Sequence, residues 1–402
     1  MSKHYVILGG GIAGLTAAEE LRSLQPQAAI TLVCKEDLPP YSRPLLTKTL
    51  LKTIQKDRLL IHPESWYKEM GIDLLLGREA VCLDPENHKI TLNDDSSLIY
   101  DKLIYALGAE PFMPKAEGMD AQGIFGLRTA EDVYRIHRFA AIANQILVIG
   151  AGVIGMEAAW ELKQLCPCVQ MIEAAPRLMS RQLDQEAADL MAEKLKATGI
   201  GLKTGVLAVS FTKNESGRVT GAVLSDGTTI SADLVVVSAG TVPNTALAKA
   251  AGLACGRGLL VNETMQTSDP DIFAAGDCIE GPDLNPQLWT YAAKTAKIAA
   301  RSAAGESPKA EEAALYPVLL NSAGTALFSL GTTSGEGVTG KACRGKKDLT
   351  RFWVNRVSED EERFSKEFYN DGALCGAILI GDLSPMADLK SRLGRKKEGS
   401  NA

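Results

Sequence analysis

One pattern of apolar and polar positions occurs twice in this chain. A short run is apolar at every position, a glycine-rich turn follows, and apolar residues then recur at helical spacing. The first run is Tyr5-Val6-Ile7-Leu8 and the second is Ile146-Leu147-Val148-Ile149. Runs without alternation read as strands buried on both faces, as in a parallel sheet. The helical pattern extends from Ile12 to Leu24, ending near Pro26, and again from about Met156 to Leu165. Each helix leads to another apolar strand, Ala29 to Val33 and Val169 to Ile172. Strand alternating with helix in this way predicts an α/β fold with parallel sheets.

Matched glycines open both helices. Gly9-Gly10-Gly11-Ile12-Ala13-Gly14 and Gly150-Ala151-Gly152-Val153-Ile154-Gly155 each fit G-x-G-x-x-G between a buried strand and a helix. The spacing has a chemical reason. Gly9 and Gly150 allow the tight turn, Gly11 and Gly152 let backbone approach a pyrophosphate, and Gly14 and Gly155 let helix pack on strand. The helix N-terminus then faces the anion. A carboxylate about 20 residues further on can accept hydrogen bonds from the ribose of an adenosine. Glu36 stands 22 residues past Gly14, and Glu173 stands 18 past Gly155. Two such units predict two bound dinucleotides and electron transfer between them.

Between the units the pattern changes. Lys89 to Leu92, the turn Asn93-Asp94-Asp95-Ser96 and the strand Lys102 to Ala106 read as a small hairpin returning to the first sheet. Gly108-Ala109-Glu110-Pro111 then breaks the strand as a crossover. Val219 to Leu224, the turn Asp226-Gly227 and the strand Leu234 to Val237 repeat that plan and lead to Gly240-Thr241-Val242-Pro243-Asn244. The second nucleotide domain, residues 113–242, is therefore expected to be inserted into the first, residues 1–112 and 243–315. Residues 316–402 read as a small C-terminal α+β domain with a basic tail. There Arg351 to Val357, Arg363 to Asn370 and Ala373 to Ile380 alternate like antiparallel strands, with Asp371-Gly372 as a turn. That sheet needs a neighbour, either the nucleotide domains or another subunit, so an oligomer stays open.

Composition narrows the function classes. A chain of 402 residues needs more than one core, and 46% hydrophobic with 23% charged residues is the balance of a folded globular protein. The net charge of −6 argues against nucleic-acid binding. No apolar stretch reaches the roughly 18 residues of a membrane span. The first strand begins almost at once, with no signal segment before it, so the cytoplasm is expected. The eight cysteines form no C-x-x-C and no metal-ligand spacing. Cys166-Pro167-Cys168 reads as reduced thiols at a helix–strand junction, with a redox pair as the alternative.

These residues resemble the FAD-dependent pyridine nucleotide-disulfide oxidoreductases, over nearly the whole chain. Tyr100-Asp101-Lys102-Leu103-Ile104-Tyr105-Ala106-Leu107-Gly108 resembles the family's A-T-G crossover, with Leu107 where threonine is usual. The most specific match is Thr267-Ser268-Asp269-Pro270-Asp271-Ile272-Phe273-Ala274-Ala275-Gly276-Asp277. In relatives this strand ends in an aspartate bonded to the FAD ribityl chain, a role that falls by resemblance to Asp277. The resemblance implies two Rossmann-like, three-layer domains of the glutathione-reductase-like kind, with FAD in the first and NAD(H) in the second.

The segment Leu38-Pro39-Pro40-Tyr41-Ser42-Arg43-Pro44-Leu45-Leu46-Thr47-Lys48 discriminates within the family. Disulfide reductases, NADH peroxidases and NADH oxidases carry a redox-active cysteine there. This chain has none, Cys34 lying upstream, and is similar instead to the rubredoxin reductase-like branch. Arg43 and Pro44 resemble residues lining the FAD. Lys48 resembles a lysine paired beside the flavin with a glutamate, here Glu157, and these two are the implied catalytic pair. Val81, Ala106, Gly108, Arg128, Gly240, Gly276 and Trp289 complete the cofactor-binding positions implied. Stretches from Arg177 to Asp184, Gly258 to Thr267 and Ile380 to Leu393 are most similar to NADH:rubredoxin reductases. Nitrite reductases continue into a longer chain with sirohaem and iron–sulfur ligands, whose spacing is absent here.

The resemblance implies an NADH oxidoreductase that passes hydride to FAD and then single electrons to a small acidic iron carrier, rubredoxin first. A reductase of a ferredoxin or oxygenase component is one alternative. An NADH-sensing flavoprotein, similar to apoptosis-inducing factor and acting through partner binding, is another. Glu173 would accept from the NADH ribose and repel the 2′-phosphate of NADPH, with Arg177 as a counterweight. A helix from Trp289 to Ala299 would direct its N-terminus at the charge of a reduced flavin. Two basic clusters read either as docking surface or as solvated charge: Lys341-Ala342-Cys343-Arg344-Gly345-Lys346-Lys347, and Lys390 with Arg392, Arg395, Lys396 and Lys397.

Overall fold

In the computed structural model the run His4–Leu8 is the central strand of a five-stranded parallel sheet. Its order is Ile272–Ala274, Lys102–Tyr105, His4–Leu8, Ala29–Val33, Ile72–Leu75. Val6 stands opposite Thr31 on one side and Leu103 on the other. Tyr5, Val6, Ile7 and Leu8 are wholly buried, as a strand covered on both faces requires. Two helices, Ile12–Leu24 and Trp289–Ala303, pack together in that core through small residues, Ala17 and Ala18 on one and Ala292, Ala296 and Ala299 on the other. The structure describes residues 3–51, 56–281, 285–308, 316–334, 338–345 and 363–395.

The second run repeats the plan. Gln145–Ile149 lies at the centre of the order Gly201–Thr204, Cys168–Glu173, Gln145–Ile149, Leu234–Val237, Ile124–Gly126. Val148 stands opposite Met171 and Val236.

Each parallel sheet is accompanied by a three-stranded antiparallel excursion. The first is Ala80–Asp84, Lys89–Leu92 and Ser97–Ile99; the second is Ala208–Lys213, Val219–Leu224 and Thr229–Ser231. This refines the expected hairpins. Lys89–Leu92 pairs with Ser97–Ile99 across the polar turn, while Lys102–Tyr105 enters the parallel sheet. Likewise Val219–Leu224 pairs with Thr229–Ser231, and the fully buried Leu234–Val237 joins the parallel sheet. An apolar strand without alternation has no polar face to offer water, so it belongs in the interior.

At the C-terminus an antiparallel sheet runs in the order Val318–Ser322, Thr325–Gly331, Ala373–Ile380, Arg363–Asn370, Thr339–Gly345. The helix Met386–Arg392 covers one face with Leu389, against Phe328, Leu330 and Leu379. The Asp371-Gly372 turn is as expected, both residues having left-handed φ, +48° and +77°. The hairpin Val318–Ser322 with Thr325–Gly331 was not read from the sequence, although Ala323 and Gly324 between its strands take φ of +53° and +70°. The expected strand from Arg351 to Val357, and Lys346, Lys347, Lys396 and Lys397, lie outside the described residues.

By packing, the chain divides into two compact units. One comprises Met1–Leu46, Ile54–Pro111 and Thr241–Ala314; the other comprises Thr47–Thr53, Phe112–Gly240 and Leu315–Ala402. The short segment 47–51 therefore groups with the second glycine fingerprint, although Arg43–Leu45 just before it groups with the first. Among the described residues no helix is long and apolar enough to cross a membrane.

Candidate dinucleotide sites

The glycines of each fingerprint divide into those the chain itself requires and one it does not. Gly9 has φ +120°, and a Cβ there would lie 2.1 Å from the Ala106 carbonyl oxygen. A Cβ on Gly14 would lie 1.9 Å from the Gly9 oxygen. Gly11 is different. Its backbone is extended at φ −86° and ψ −178°, and a Cβ would meet nothing within 4 Å. The second fingerprint shows the same division, with Gly150 and Gly155 closely packed and Gly152 facing open space. Nothing within the protein demands glycine at Gly11 or Gly152, which is what a cradle shaped for an external group looks like.

Helix termini agree with this. Neither Ile12–Leu24 nor Val153–Lys163 has a side-chain cap or an acidic residue in its first turn. Ala130–Ala140 and Gln185–Ala197, by contrast, are capped by Thr129 and Asp184. Bare N–H groups at a glycine turn suit a pyrophosphate. The residues therefore fit a dinucleotide in each unit.

In the first unit, Glu36 is held by the segment that follows it. Its Oε2 accepts from the Tyr41 hydroxyl at 2.7 Å, and its Oε1 from Arg43 Nη2 at 2.6 Å. Arg43 Nη1 also donates to the Tyr41 oxygen at 3.1 Å, with the guanidinium 5.0 Å from the ring centroid. Burial works against the Arg43 charge, but Tyr41, Glu36 and Asp277 outweigh it, and its pKa lies above the ordinary value. A carboxylate has about four lone-pair sites, so Glu36 keeps acceptor capacity for a ribose hydroxyl. The sequence assigns Tyr41 no role; the structure buries it, and a buried tyrosine hydroxyl needs a partner, here Glu36.

Asp277 sits in the short turn Gly276–Cys278 after the strand Ile272–Ala274. That turn is fixed by Thr295, whose Oγ1 accepts from the Gly276 N–H at 3.0 Å, and by Asn285, whose amide donates to the Gly276 oxygen at 2.9 Å. Trp289 opens the helix that carries Thr295, and this N-terminus also lacks a side-chain cap. Pro44 lies in the short turn Arg43–Leu45. Gly108 has φ +65°, and Val81 is exposed on the strand Ala80–Asp84.

Glu173, in the second unit, is used differently from Glu36. Its Oε2 accepts from the Ala151 N–H at 2.7 Å and its Oε1 from the Ala175 N–H at 2.8 Å. The carboxylate thus braces the fingerprint turn from the end of the neighbouring strand. Arg177 donates to the Leu183 oxygen from Nε at 3.1 Å and to the Ser180 oxygen from Nη2 at 3.2 Å. Arg128 precedes Thr129, the cap of the helix Ala130–Ala140, its N–H bonded to Asp132, and Gly240 has φ +101°.

Lys48 and Glu157 come together within this same unit. Glu157, on the second fingerprint helix, accepts from the Thr47 hydroxyl at 2.7 Å and has the Lys48 Nζ at 3.5 Å. The Leu50 carbonyl oxygen lies 2.7 Å from His137 Nδ1. A carbonyl can only accept, so the ring carries its hydrogen on Nδ1. Thr47 and His137 escaped the sequence reading because their partners are far away in the chain.

Cys34, Cys82, Cys166, Cys168, Cys255, Cys278 and Cys375 are unbridged. Cys34 packs against Gly10, where a Cβ would lie 2.6 Å from the sulfur. Burial, reinforced by Glu36 and opposed by Arg43, pushes its thiol up to about 12. Burial pushes Cys278 up to about 12 as well. The buried Cys166 directs its sulfur at the Cys168 carbonyl oxygen, 3.3 Å away. Of the C-terminal cations, Arg392 is engaged internally by Glu367 at 2.8 Å and Asp388 at 2.9 Å, and Lys390 lies 5.8 Å from the Phe328 ring centroid.

Two strand–turn–helix folds, each with a bare glycine cradle, define a two-dinucleotide oxidoreductase. The chain belongs to the pyridine nucleotide-disulphide oxidoreductase family, whose model matches residues 3–296. Members of this family are FAD-containing, NAD(H)-dependent oxidoreductases. The chain is 30% identical over 399 residues to the assimilatory nitrate reductase electron transfer subunit of Bacillus subtilis (strain 168), covering 99% of this chain and 50% of that protein. It is 36% identical over 274 residues to the rubredoxin-NAD(+) reductase of Pseudomonas putida, covering 68% of this chain and 71% of that one. Among solved structures, the ferredoxin reductase for the CYP199A2 system from Rhodopseudomonas palustris is similar with a TM-score of 0.87 at 27% identity, over 98% of this chain and 96% of that one. The chain spans about half the length of the first of these relatives.

Proposed function

We propose that this chain takes hydride from NADH onto FAD and delivers single electrons to a small iron carrier protein, rubredoxin in the first instance. FAD belongs in the unit of Gly9, Gly11 and Gly14, and NADH in the unit of Gly150, Gly152 and Gly155. When bound, FAD accepts two electrons together and releases them singly. The reading is carried by one observation: two bare glycine cradles in one chain, with Lys48 brought to Glu157 on the second fingerprint helix.

The residues supply alignment and electrostatics. Glu173 holds the Ala151 turn and favours a coenzyme without a 2′-phosphate. Arg43, Glu36 and Asp277 form a charged group in the first unit. The uncapped N-terminus at Trp289, tied to the Asp277 turn through Thr295, favours added negative charge. Cys34 and Cys278 stay protonated at neutral pH, so neither serves as a thiolate relay. In this scheme the electrons leave to a carrier outside the chain. Both the rubredoxin-NAD(+) reductase and the ferredoxin reductase named above support a carrier of that size.

A second reading has its own support. The similarity to the nitrate reductase electron transfer subunit runs along 99% of this chain, which favours supply to a larger reductase of that type. The test is anaerobic NADH oxidation by FAD-loaded protein with rubredoxin, then ferredoxin, then a nitrate reductase catalytic subunit, across a salt series. Fast, salt-sensitive reduction of rubredoxin is expected. Preference for the nitrate reductase would favour the second reading. Flavin reduced by NADH but reoxidised by no acceptor, with NADH-dependent change in assembly, would favour a sensing flavoprotein instead.

A further inference from the structure

We propose that Lys366, on the C-terminal strand Arg363–Asn370, is a positioning residue for nicotinamide dinucleotide binding, acting through residues 174–184 on the Ala151 peptide. The inference rests on the reading of the second fingerprint as the NADH site. It concerns a side chain that touches no fingerprint residue.

Ala151, between Gly150 and Gly152, has both backbone groups held. Its N–H donates to Glu173 at 2.7 Å, and its carbonyl accepts from the Met179 N–H at 2.9 Å. Met179 has φ +45°, a left-handed conformation that a non-glycine keeps only where its surroundings over-determine it. Here they do. The Gln182 and Leu183 N–H groups both donate to the Met179 oxygen, at 2.8 and 2.9 Å, and Arg177 ties down the Ser180 and Leu183 oxygens. Leu178, Met179 and Leu183 are buried.

The far end of this loop is anchored on the C-terminal sheet. Ser329 Oγ donates to the Gln182 oxygen at 2.6 Å. Lys366 Nζ donates to Asp184 at 2.5 Å and to Glu186 at 2.9 Å. A third tie, from the buried Ser322 to the Met156 oxygen at 2.9 Å, fixes the same sheet to the second fingerprint helix. The Lys366 side chain is only 14% exposed, so solvent screens these pairs weakly. Burial opposes the Lys366 charge, yet the bonds to Asp184 and Glu186 raise its pKa above the ordinary value.

Removing the ammonium takes away the charge-assisted tie between Asp184, at the end of the loop, and the C-terminal sheet. Loss of that tie loosens the end of the loop, and Met179 passes the shift to Ala151. A backbone cradle binds only at its set geometry, so binding of the dinucleotide suffers before any other property.

The test uses FAD-loaded protein with Lys366→Met and, separately, Asp184→Asn, which keeps a capping oxygen for the helix Gln185–Ala197 but removes the charge. NADH binding is measured by anaerobic fluorescence titration of the dithionite-reduced protein, whose flavin can accept no further hydride, turnover with ferricyanide as acceptor, and stability by thermal melting. For each variant KM and Kd for NADH should rise on the order of tenfold, with kcat within about twofold and flavin content unchanged. Lys213→Met, which breaks an exposed pair with Asp120 in the same unit, should leave Kd unaltered. An unchanged Kd in folded variants overturns the proposal, as does parallel loss of FAD and NADH. If Lys366→Met does not fold, Asp184→Asn decides. Failure of the wild-type protein to bind NADH is a separate result and would sink the functional reading itself.

Discussion

Lys48 Nζ lies 3.5 Å from Glu157 Oε1, an ion pair between the segment that follows Arg43 and the helix that follows Gly152. The lysine side chain is 44% exposed. An exposed pair of this kind contributes about 0–1 kcal/mol to stability. Its value is therefore to be sought in charge placement. Lys48→Met should shift the melting temperature by no more than about 2 °C, yet slow flavin bleaching by NADH on the order of 10²-fold. Stopped-flow absorbance at the flavin band measures this. A bleaching rate equal to wild type would remove Lys48 from the catalytic machinery.

The two kinds of fingerprint glycine should separate folding from binding. Gly152 has an extended backbone that any residue adopts, and a Cβ there meets nothing. Gly152→Ala should leave the fold intact or stabilise it by about 0.4–1 kcal/mol, through the unfolded chain, while weakening NADH binding. Gly155→Ala places a Cβ 1.9 Å from the Gly150 oxygen. Overpacking of this kind costs about 1–3 kcal/mol or more, so this variant should melt early. Calorimetry paired with NADH titration checks both, and equal destabilisation of the two variants would contradict the division.

These glycines also mark how far the sequence alone specifies the fold. Strand, turn and helix were legible at Tyr5 to Leu24 and Ile146 to Leu165 because burial on both faces leaves an unbroken apolar run, and a phosphate cradle leaves a fixed glycine spacing. Glu173 was legible as a strand-end carboxylate. Its grip on Ala151 was not, because that bond joins two strands and depends on how the loop between them closes. The same holds for Thr47 on Glu157 and Lys366 on Asp184, pairs separated by 110 and 182 residues. Periodicity reports which face of an element is buried. It carries no information about which distant side chain completes a hydrogen bond.

The buried thiols predict alkaline sensitivity. Cys34 and Cys278 are raised from 9.0 to about 12 in the native state. Unfolding returns them to water and to their ordinary values. Between those limits the native protein holds protons that the unfolded chain releases. Their contribution is thus complete below about pH 9 and is lost as pH rises towards about 12, at about 1.4 kcal/mol per pH unit for each thiol. Tyr67, Tyr100 and Tyr105, also raised by burial, act in the same direction at higher pH. Thermal melting from pH 7 to 11 should show a steep fall above 9, shallower in Cys34→Ala. At pH 8, iodoacetamide should label the exposed Cys82 and spare Cys34 and Cys278 until denaturant is added. Rapid native labelling of Cys34, found by peptide mass mapping, would contradict the burial argument.

Coenzyme choice turns on which of Glu173 and Arg177 faces the adenosine ribose. Glu173 carries its charge at the end of the strand Cys168–Glu173, beside the Ala151 turn. A 2′-phosphate arriving there meets a like charge. Arg177 is committed to the loop, its guanidinium donating to the Ser180 and Leu183 oxygens. Glu173→Gln removes the charge and keeps an acceptor oxygen, so the ratio of kcat/KM for NADH over NADPH should fall on the order of tenfold. Arg177→Ala should behave otherwise, raising KM for both coenzymes together and leaving the ratio unchanged, because it acts on the loop. The two variants therefore test one geometry from opposite sides. If Arg177→Ala lowered kcat/KM for NADPH far more than for NADH, the guanidinium would reach the phosphate through the N–H groups that its two backbone bonds leave over.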